Sequence, residues 1–391
     1  MKKVGIPFLV VFCLLGGFLM LPSNYYLRQV LLHLYPKIDQ YPIFENRMVE
    51  ARSPVAWEEA DGYNTLSLPE EILPLFEQYG TVAFVVVKDG QLLFESYWDA
   101  YSPRSLSNSF SMAKSIVSLA VGCAIDDGFI QGTDQPVSDF FPEFGEYNRT
   151  ALTLRHLLTM SAGVDFEEAY SSPFSPTTKL YYGNDLHAIT FGMKQIETPG
   201  VNFVYQSGVT QLLAFIVEKA TGEPLSHYVS RKLWTPMHAE EHALWSLDRD
   251  GGMEKAYCCF NTNARDFARF GQLILNKGRW DGKQLVPEAY LLEAITPDTT
   301  LTDIQHQEIN RQYGFQFWHL TYDGLSIPYL RGLQGQYVFA IPEKNAVIVR
   351  LGHKRSPTYS PQHYPDDIDL WLEAGLKLID SSTENAYSAL P

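Results

Sequence analysis

Ser109-Phe110-Ser111-Met112-Ala113-Lys114-Ser115, continuing into the apolar positions Ile116, Val117, Leu119, Ala120 and Val121, is the stretch on which this chain turns. It reads as an apolar helix opening on a serine, and residues three apart share one helical face. The Ser111 hydroxyl and the Lys114 ammonium therefore project side by side. A serine hydroxyl needs a base before it attacks anything, and a lysine becomes that base when burial lowers its pKa. An ordinary helical turn with an exposed lysine has the same spelling, expected roughly once by chance in a chain of this composition. The surrounding sequence has to separate the two.

A second element is Pro199-Gly200-Val201-Asn202-Phe203-Val204-Tyr205-Gln206-Ser207-Gly208, followed by a helical run from Gln211 to Thr221. It reads as a turn, a short extended piece and a helix. Tyr205 and Ser207 leave the extended piece on one side, and a phenol near a lysine ammonium can relay a proton to a leaving group. A half-buried tyrosine beneath a helix is the plainer alternative. The third element is Arg331-Gly332-Leu333-Gln334-Gly335-Gln336, running into Tyr337 to Ile341, the turn Pro342-Glu343-Lys344-Asn345, and Ala346 to Leu351. This is a β-hairpin reached through glycines, which let a backbone approach a ligand closely enough for a main-chain N–H to serve an oxyanion.

In this order, and joined by Leu154 to Gly163 and Asn263 to Gly271, these stretches resemble the serine β-lactamase and penicillin-binding-protein superfamily, class C-like branch. Within it the chain is more similar to 6-aminohexanoate-dimer hydrolases and related esterases than to true β-lactamases. The resemblance covers roughly residues 75 to 355. It implies Ser111 as the acylated nucleophile, Lys114 as its base, Tyr205 as the acid toward the leaving group, and the backbone N–H groups of Ser111 and Leu333 as the oxyanion hole. It also implies substrate contacts at Gly332, at Ser207, which stands where true β-lactamases usually carry asparagine, at Tyr170 on a substrate-covering segment, and at Asn261. For Tyr170 a packing role remains the alternative.

One departure bears on substrate. True β-lactamases carry Lys-Thr-Gly on the strand edging the site; here the equivalent segment reads Ser326-Ile327-Pro328-Tyr329-Leu330-Arg331. Arg331 is either a substitute for that carboxylate-holding lysine or a structural arginine. The expected function is a serine hydrolase acting on a small-molecule amide or ester, without cofactor or metal. Amidase and carboxylesterase share the acyl-serine and are not separable at this level. A catalytically inactive peptidoglycan-binding or ligand-binding homologue or sensor, and a purely structural envelope protein, are the alternatives from other classes.

Composition agrees with a globular enzyme, with 46% hydrophobic and 19% charged residues in 391. A net charge of −15 speaks against binding nucleic acid by charge. No His-x-x-x-His or comparable ligand spacing is present, and His156 in an apolar helix reads as a core residue. Lys2-Lys3 before the uncharged run Val4 to Leu21 reads as a signal peptide or, preferably, an uncleaved signal anchor, which places the enzyme extracytoplasmically, periplasmic or at the cell surface, and on a membrane. Cys258 and Cys259 are adjacent, a pair that rarely bridges, while Cys123 lies in the apolar helix and Cys13 in the anchor.

The expected layout is α/β of the α+β kind. Residues 1–22 form the anchor, 23–68 a linker, 69–380 the β-lactamase-like domain, and 381–391 a tail. An antiparallel five-stranded sheet draws on both ends of the domain, at about 82–87, 91–97, 313–320, 337–341 and 347–351, flanked by helices near 69–78 and 366–378. Residues 105–300 form a mostly helical lobe, with an aromatic loop from 165 to 195 over a cleft at the seam.

Overall fold

Strands β1 (Thr81–Lys88), β2 (Gln91–Tyr97), β3 (Trp318–Tyr322), β4 (Leu325–Gly332), β5 (Gln336–Ile341) and β6 (Ala346–Gly352) form one sheet in the order β3-β4-β5-β6-β1-β2. Every pairing is antiparallel. The computed structural model describes residues 5–145 and 152–388. The helices that bear on the site are α1 (Gly5–Met20), α2 (Tyr25–His33), α3 (Met112–Asp126), α4 (Pro176–Tyr182), α5 (Ser207–Thr221), α6 (Ala264–Leu275) and α7 (Asp367–Ser388).

Asp89 and Gly90 turn β1 into β2 with φ of 54° and 78°, the left-handed pair that a two-residue hairpin loop demands. Strands β5 and β6 are buried at every position, unlike the half-solvated strands usual in antiparallel sheets. The cause is a helix on each face. Arg350 and Phe84 stand opposite each other in the β6–β1 register, on the face covered by α7. There the Arg350 guanidinium lies 4.5 Å above the Trp371 ring, and Phe76 meets both Phe84 and Trp371 edge-on. Val347 points the other way into α6, so close that a Cβ on Gly271 would stand 2.5 Å from it. Burying each such aliphatic or aromatic side chain contributes about 1.5–3 kcal/mol.

The sheet has six strands where five were expected. The extra one, β4, was hidden by Pro328, which reads as a strand breaker. Pro328 pairs with His319 on β3, while pairing with β5 starts only at Tyr329, so its missing N–H falls where the strand has one neighbour. The expected strand at 313–320 begins instead at Trp318.

The stretch read as a linker belongs to the domain. Asn46–Val49 pairs with Ala243–Ser246 in a four-stranded sheet completed by Phe260–Thr262 and Ser107–Asn108. Ile38 and Val49 are fully buried, and Trp57 donates to Arg265 O at 2.9 Å. That small sheet lies inside the lobe expected to be mostly helical. The expected tail continues α7 as far as Ser388. The run read as an anchor forms α1, which has 16 residues and gives way to the Pro22–Asn24 turn. Among the described residues, no helix is long and apolar enough to cross a membrane.

Candidate active site

Ser111 is placed by the strand that precedes it. Ser107 and Asn108 pair with Thr262 and Asn261, and Ser109 N continues the run by donating to Phe260 O at 2.8 Å. Phe110 then takes a left-handed φ of 43°, its N–H held 2.8 Å from Asn108 Oδ1, and the chain swings into α3 with Ser111 as its first half-turn. A backbone bent this way at a phenylalanine costs free energy that the flanking hydrogen bonds offset.

One turn on, Lys114 is 1% exposed. Its Nζ donates to Ser111 Oγ at 3.1 Å and to Tyr257 O at 2.9 Å, and stands 5.0 Å from the Tyr205 ring centroid. Burial pulls its pKa down from 10.5 to about 8, with the Glu168 carboxylate pulling weakly the other way. Tyr205 follows the two-residue strand Asn202–Phe203 and packs against Tyr313 and Trp318. Burial, and then the Glu168 charge, raise its phenol pKa, while the Ser111 hydroxyl lowers it, so the group is neutral and able to donate.

The opposite wall is the β4–β5 turn. A Cβ on Gly332 would stand 2.2 Å from Ser109 O, so only glycine lets this turn close on the strand that leads into Ser111. Leu333 follows, and it lines the cleft with Ser111. Neither the Ser111 nor the Leu333 amide takes part in the loop and turn hydrogen bonds. The turn is held from behind by Arg350, wholly buried, whose Nη1 donates to Gln334 O and Gly335 O at 3.1 and 2.8 Å.

The structure thus brings Ser111, Lys114, Tyr205, Leu333, Gly332, Tyr170 and Ser207 to one cleft. Asn261 is a correction. It is fully buried in the small sheet, its Nδ2 donating to Leu244 O and Cys259 O at 3.1 and 2.8 Å, and it does not reach the cleft. The alternation of β-strand side chains turns it inward, which a motif read without its register does not show. The expected aromatic loop is also more ordered than read. It contains α4 and a helix at Leu186–Phe191, with Tyr181 and Tyr182 buried, Tyr170 45% exposed at the rim, and Phe174 in solvent. Ser207 opens α5 and does not stand free.

Two features were missed. Glu168 accepts from Ser207 N and Ser207 Oγ, both at 2.7 Å, and from Tyr170 OH at 2.6 Å, so a carboxylate sits at the heart of the cleft. The signal was Glu167-Glu168 within an otherwise aromatic segment. The second is a bond between Cys258 and Cys259, beside the Tyr257 carbonyl that receives Lys114, where a nonbridging pair was expected. Cys259 takes a φ of 67° there. Cys13 and Cys123 are free.

Two cavities meet at Ser111, Tyr170 and Leu333. One, of about 560 Å³, is lined chiefly by apolar and aromatic side chains including Val30, Phe110 and Tyr182. The other, of about 690 Å³, holds Tyr205, Glu168, His306, Arg331 and Arg355. Arg331 stacks 3.4 Å above the Trp318 ring centroid, and its Nη1 is buried without a hydrogen-bond partner among the described residues.

Residues 74–370 match the model of the Beta-lactamase family. The 6-aminohexanoate-dimer hydrolase of Paenarthrobacter ureafaciens is 26% identical over 300 residues, covering 72% of this chain and 74% of that protein. Among solved structures, a candidate 6-aminohexanoate-dimer hydrolase from Bacillus anthracis aligns at TM-score 0.68 and 21% identity, over 94% of this chain and 95% of its own. A family VIII carboxylesterase aligns at TM-score 0.62 and 14% identity, over 83% and 99%. At such identities the structural likeness speaks for the fold alone. The family match encloses α3, the Tyr205 segment and the β4–β5 turn, and the chain belongs to the Beta-lactamase family of hydrolases.

Proposed function

We propose that the protein is a serine hydrolase that cleaves an ester or amide through an acyl-Ser111 intermediate. The observation that carries this reading is the buried Lys114 Nζ, 3.1 Å from Ser111 Oγ, with a pKa of about 8 that leaves a usable neutral fraction near neutral pH. Ser111 Oγ attacks the carbonyl carbon as Lys114 takes its proton. The oxyanion is received by the backbone N–H groups of Ser111 and Leu333. The proton then passes from Lys114 through Tyr205 to the leaving oxygen or nitrogen as its bond to the carbonyl breaks. A water activated by the same pair hydrolyses the acyl-enzyme, releasing the acid and restoring Ser111.

The name of the Paenarthrobacter relative supports an amide, and that of the carboxylesterase neighbour an ester. The test is intact-protein mass spectrometry after a fluorophosphonate probe. The expected result is one adduct on the wild type and none on folded Ser111→Ala. No adduct on folded wild type would support a ligand-binding homologue that does not turn over.

A further inference from the structure

We propose that the apolar cavity beside Ser111 is the acyl subsite for a medium-chain ester or amide, its acyl chain about eight to twelve carbons long. The proposal rests on the acyl-serine reading above and gives it a substrate class.

The cleft divides at the nucleophile. Tyr205 lines the polar cavity and not the apolar one, so a leaving group that takes its proton from Tyr205 lies on the polar side. The acyl group is then directed to the other side. That side presents Val30, Leu34, Pro36, Phe110, Tyr181 and Tyr182. Ser171, Ser172, Thr177 and Thr178 also line it, but most of the surface it opens is apolar and offers an acyl chain contact over most of its length.

The roof of this cavity comes from residues 30–36, which precede the matched stretch 74–370, so the subsite is a property of this chain and not of the family match. The roof is pinned in place. Tyr182 OH donates to Leu34 O at 3.0 Å, Gln334 Nε2 to Pro36 O at 2.5 Å, and Asn108 N to Ile38 O at 2.7 Å. These bonds tie it to α4, to the turn carrying Leu333, and to the strand that delivers Ser111. At the mouth Leu34 is 73% exposed, so a chain longer than the cavity meets an apolar side chain as it leaves.

The test uses the full chain and p-nitrophenyl esters and p-nitroanilides with acyl chains of two, four, eight and twelve carbons. Each buried methylene is worth about fourfold in kcat/KM, so octanoyl should exceed acetyl by at least about a hundredfold. Val30→Trp, which fills the cavity from the peripheral α2, should abolish that rise by cutting octanoyl turnover far more than acetyl. Leu34→Gln, at the exposed rim, should reduce dodecanoyl turnover more than octanoyl. A flat or falling length profile with acetyl still turned over, or equal losses at all lengths in Val30→Trp, overturns the subsite and leaves the hydrolase reading standing. No turnover at any length, with no Ser111 adduct, overturns both. Offering the octanoyl group as monomeric ester and again within phosphatidylcholine vesicles identifies the source: preference for monomers indicates a soluble ester, preference for vesicles a membrane lipid.

Discussion

On the proposed acyl-serine mechanism, burial gives Lys114 both a stability cost and its use as a base, so both should respond to substitution there. Holding its ammonium at a pKa of about 8, against 10.5 in the unfolded chain, costs about 3 kcal/mol at pH 7. Below pH 8 both states keep the proton and the cost is constant. Between 8 and 10.5 the unfolded state binds the proton that the folded state releases, so stability should rise with pH across that window. Lys114→Met removes the cost but leaves Tyr257 O without its donor, worth about 1–3 kcal/mol. The variant should therefore melt at or above the wild-type temperature at pH 7, and lose the upward drift between pH 8 and 10. Catalysis should move the opposite way. The neutral fraction of Lys114 is about one part in ten at pH 7 and one in a hundred at pH 6, so wild-type acylation should rise nearly tenfold per pH unit and level off above about 8. Lys114→Arg keeps the charge, cannot give up a proton, and should slow acylation by about 10²–10⁴. Stopped-flow release of p-nitrophenol from the acetate ester reads both rates, and calorimetry across pH 6 to 10 reads the stability. A wild-type acylation rate that changes less than twofold between pH 6 and 8, or Lys114→Arg within tenfold of wild type, would refute Lys114 as the base.

Two further substitutions separate the roles around it. Tyr205→Phe should lower kcat on alkyl amides by about 10²–10⁴, yet leave p-nitrophenyl ester acylation far less affected, because a nitrophenolate departs without a proton; equal losses on both substrates would count against the donor role. Glu168→Gln removes a charge that holds the Lys114 pKa up, so the midpoint of the pH profile of kcat/KM should move below about 8, and an upward movement contradicts the electrostatics.

The sequence carried the site as far as local chemistry specifies it. Ser111 caps a fifteen-residue helix that carries Lys114 one turn on, and the apolar run that buries the lysine is written in that helix. Gly332 stood out in the sequence because a close backbone approach demands glycine, whereas Leu333 came only with the family resemblance. What escaped depends on partners distant in the chain. Asn261 faces Ser246 and not the cleft because the strand register sets its direction, and Glu168 is central because α5 starts where its carboxylate can take the Ser207 amide. Strand β4 escaped for a related reason, since Pro328 is tolerated only through the one-sided pairing that β3 and β5 create around it. The segment 23–68 lacks periodicity because it is laid over an existing surface, filling gaps with Ile38, Val49 and Trp57 and forming few regular elements of its own.

Lys255 shows that a lowered pKa is not what makes Lys114 a candidate base. It too is wholly buried, and burial takes its pKa down to about 7, below that of Lys114. Its Nζ donates to Leu180 O and Gly183 O at 3.0 and 3.1 Å and faces the Phe44 ring at 5.3 Å. Both carbonyls are fixed backbone acceptors at the end of α4, so the ammonium ties that helix down beneath the cleft. Among the described residues its hydrogen bonds go to those two carbonyls, and it lines neither cavity at Ser111. Lys114 differs in having Ser111 Oγ as one of its two partners and the Tyr205 ring above it, both of which line the cleft. Burial prepares either lysine to lose its proton, but only at Lys114 does the neutral amine meet a hydroxyl that a substrate carbonyl can reach. On the proposed mechanism, reactivity is a property of the neighbour on which the lone pair falls, and the Phe110 turn puts that neighbour in place.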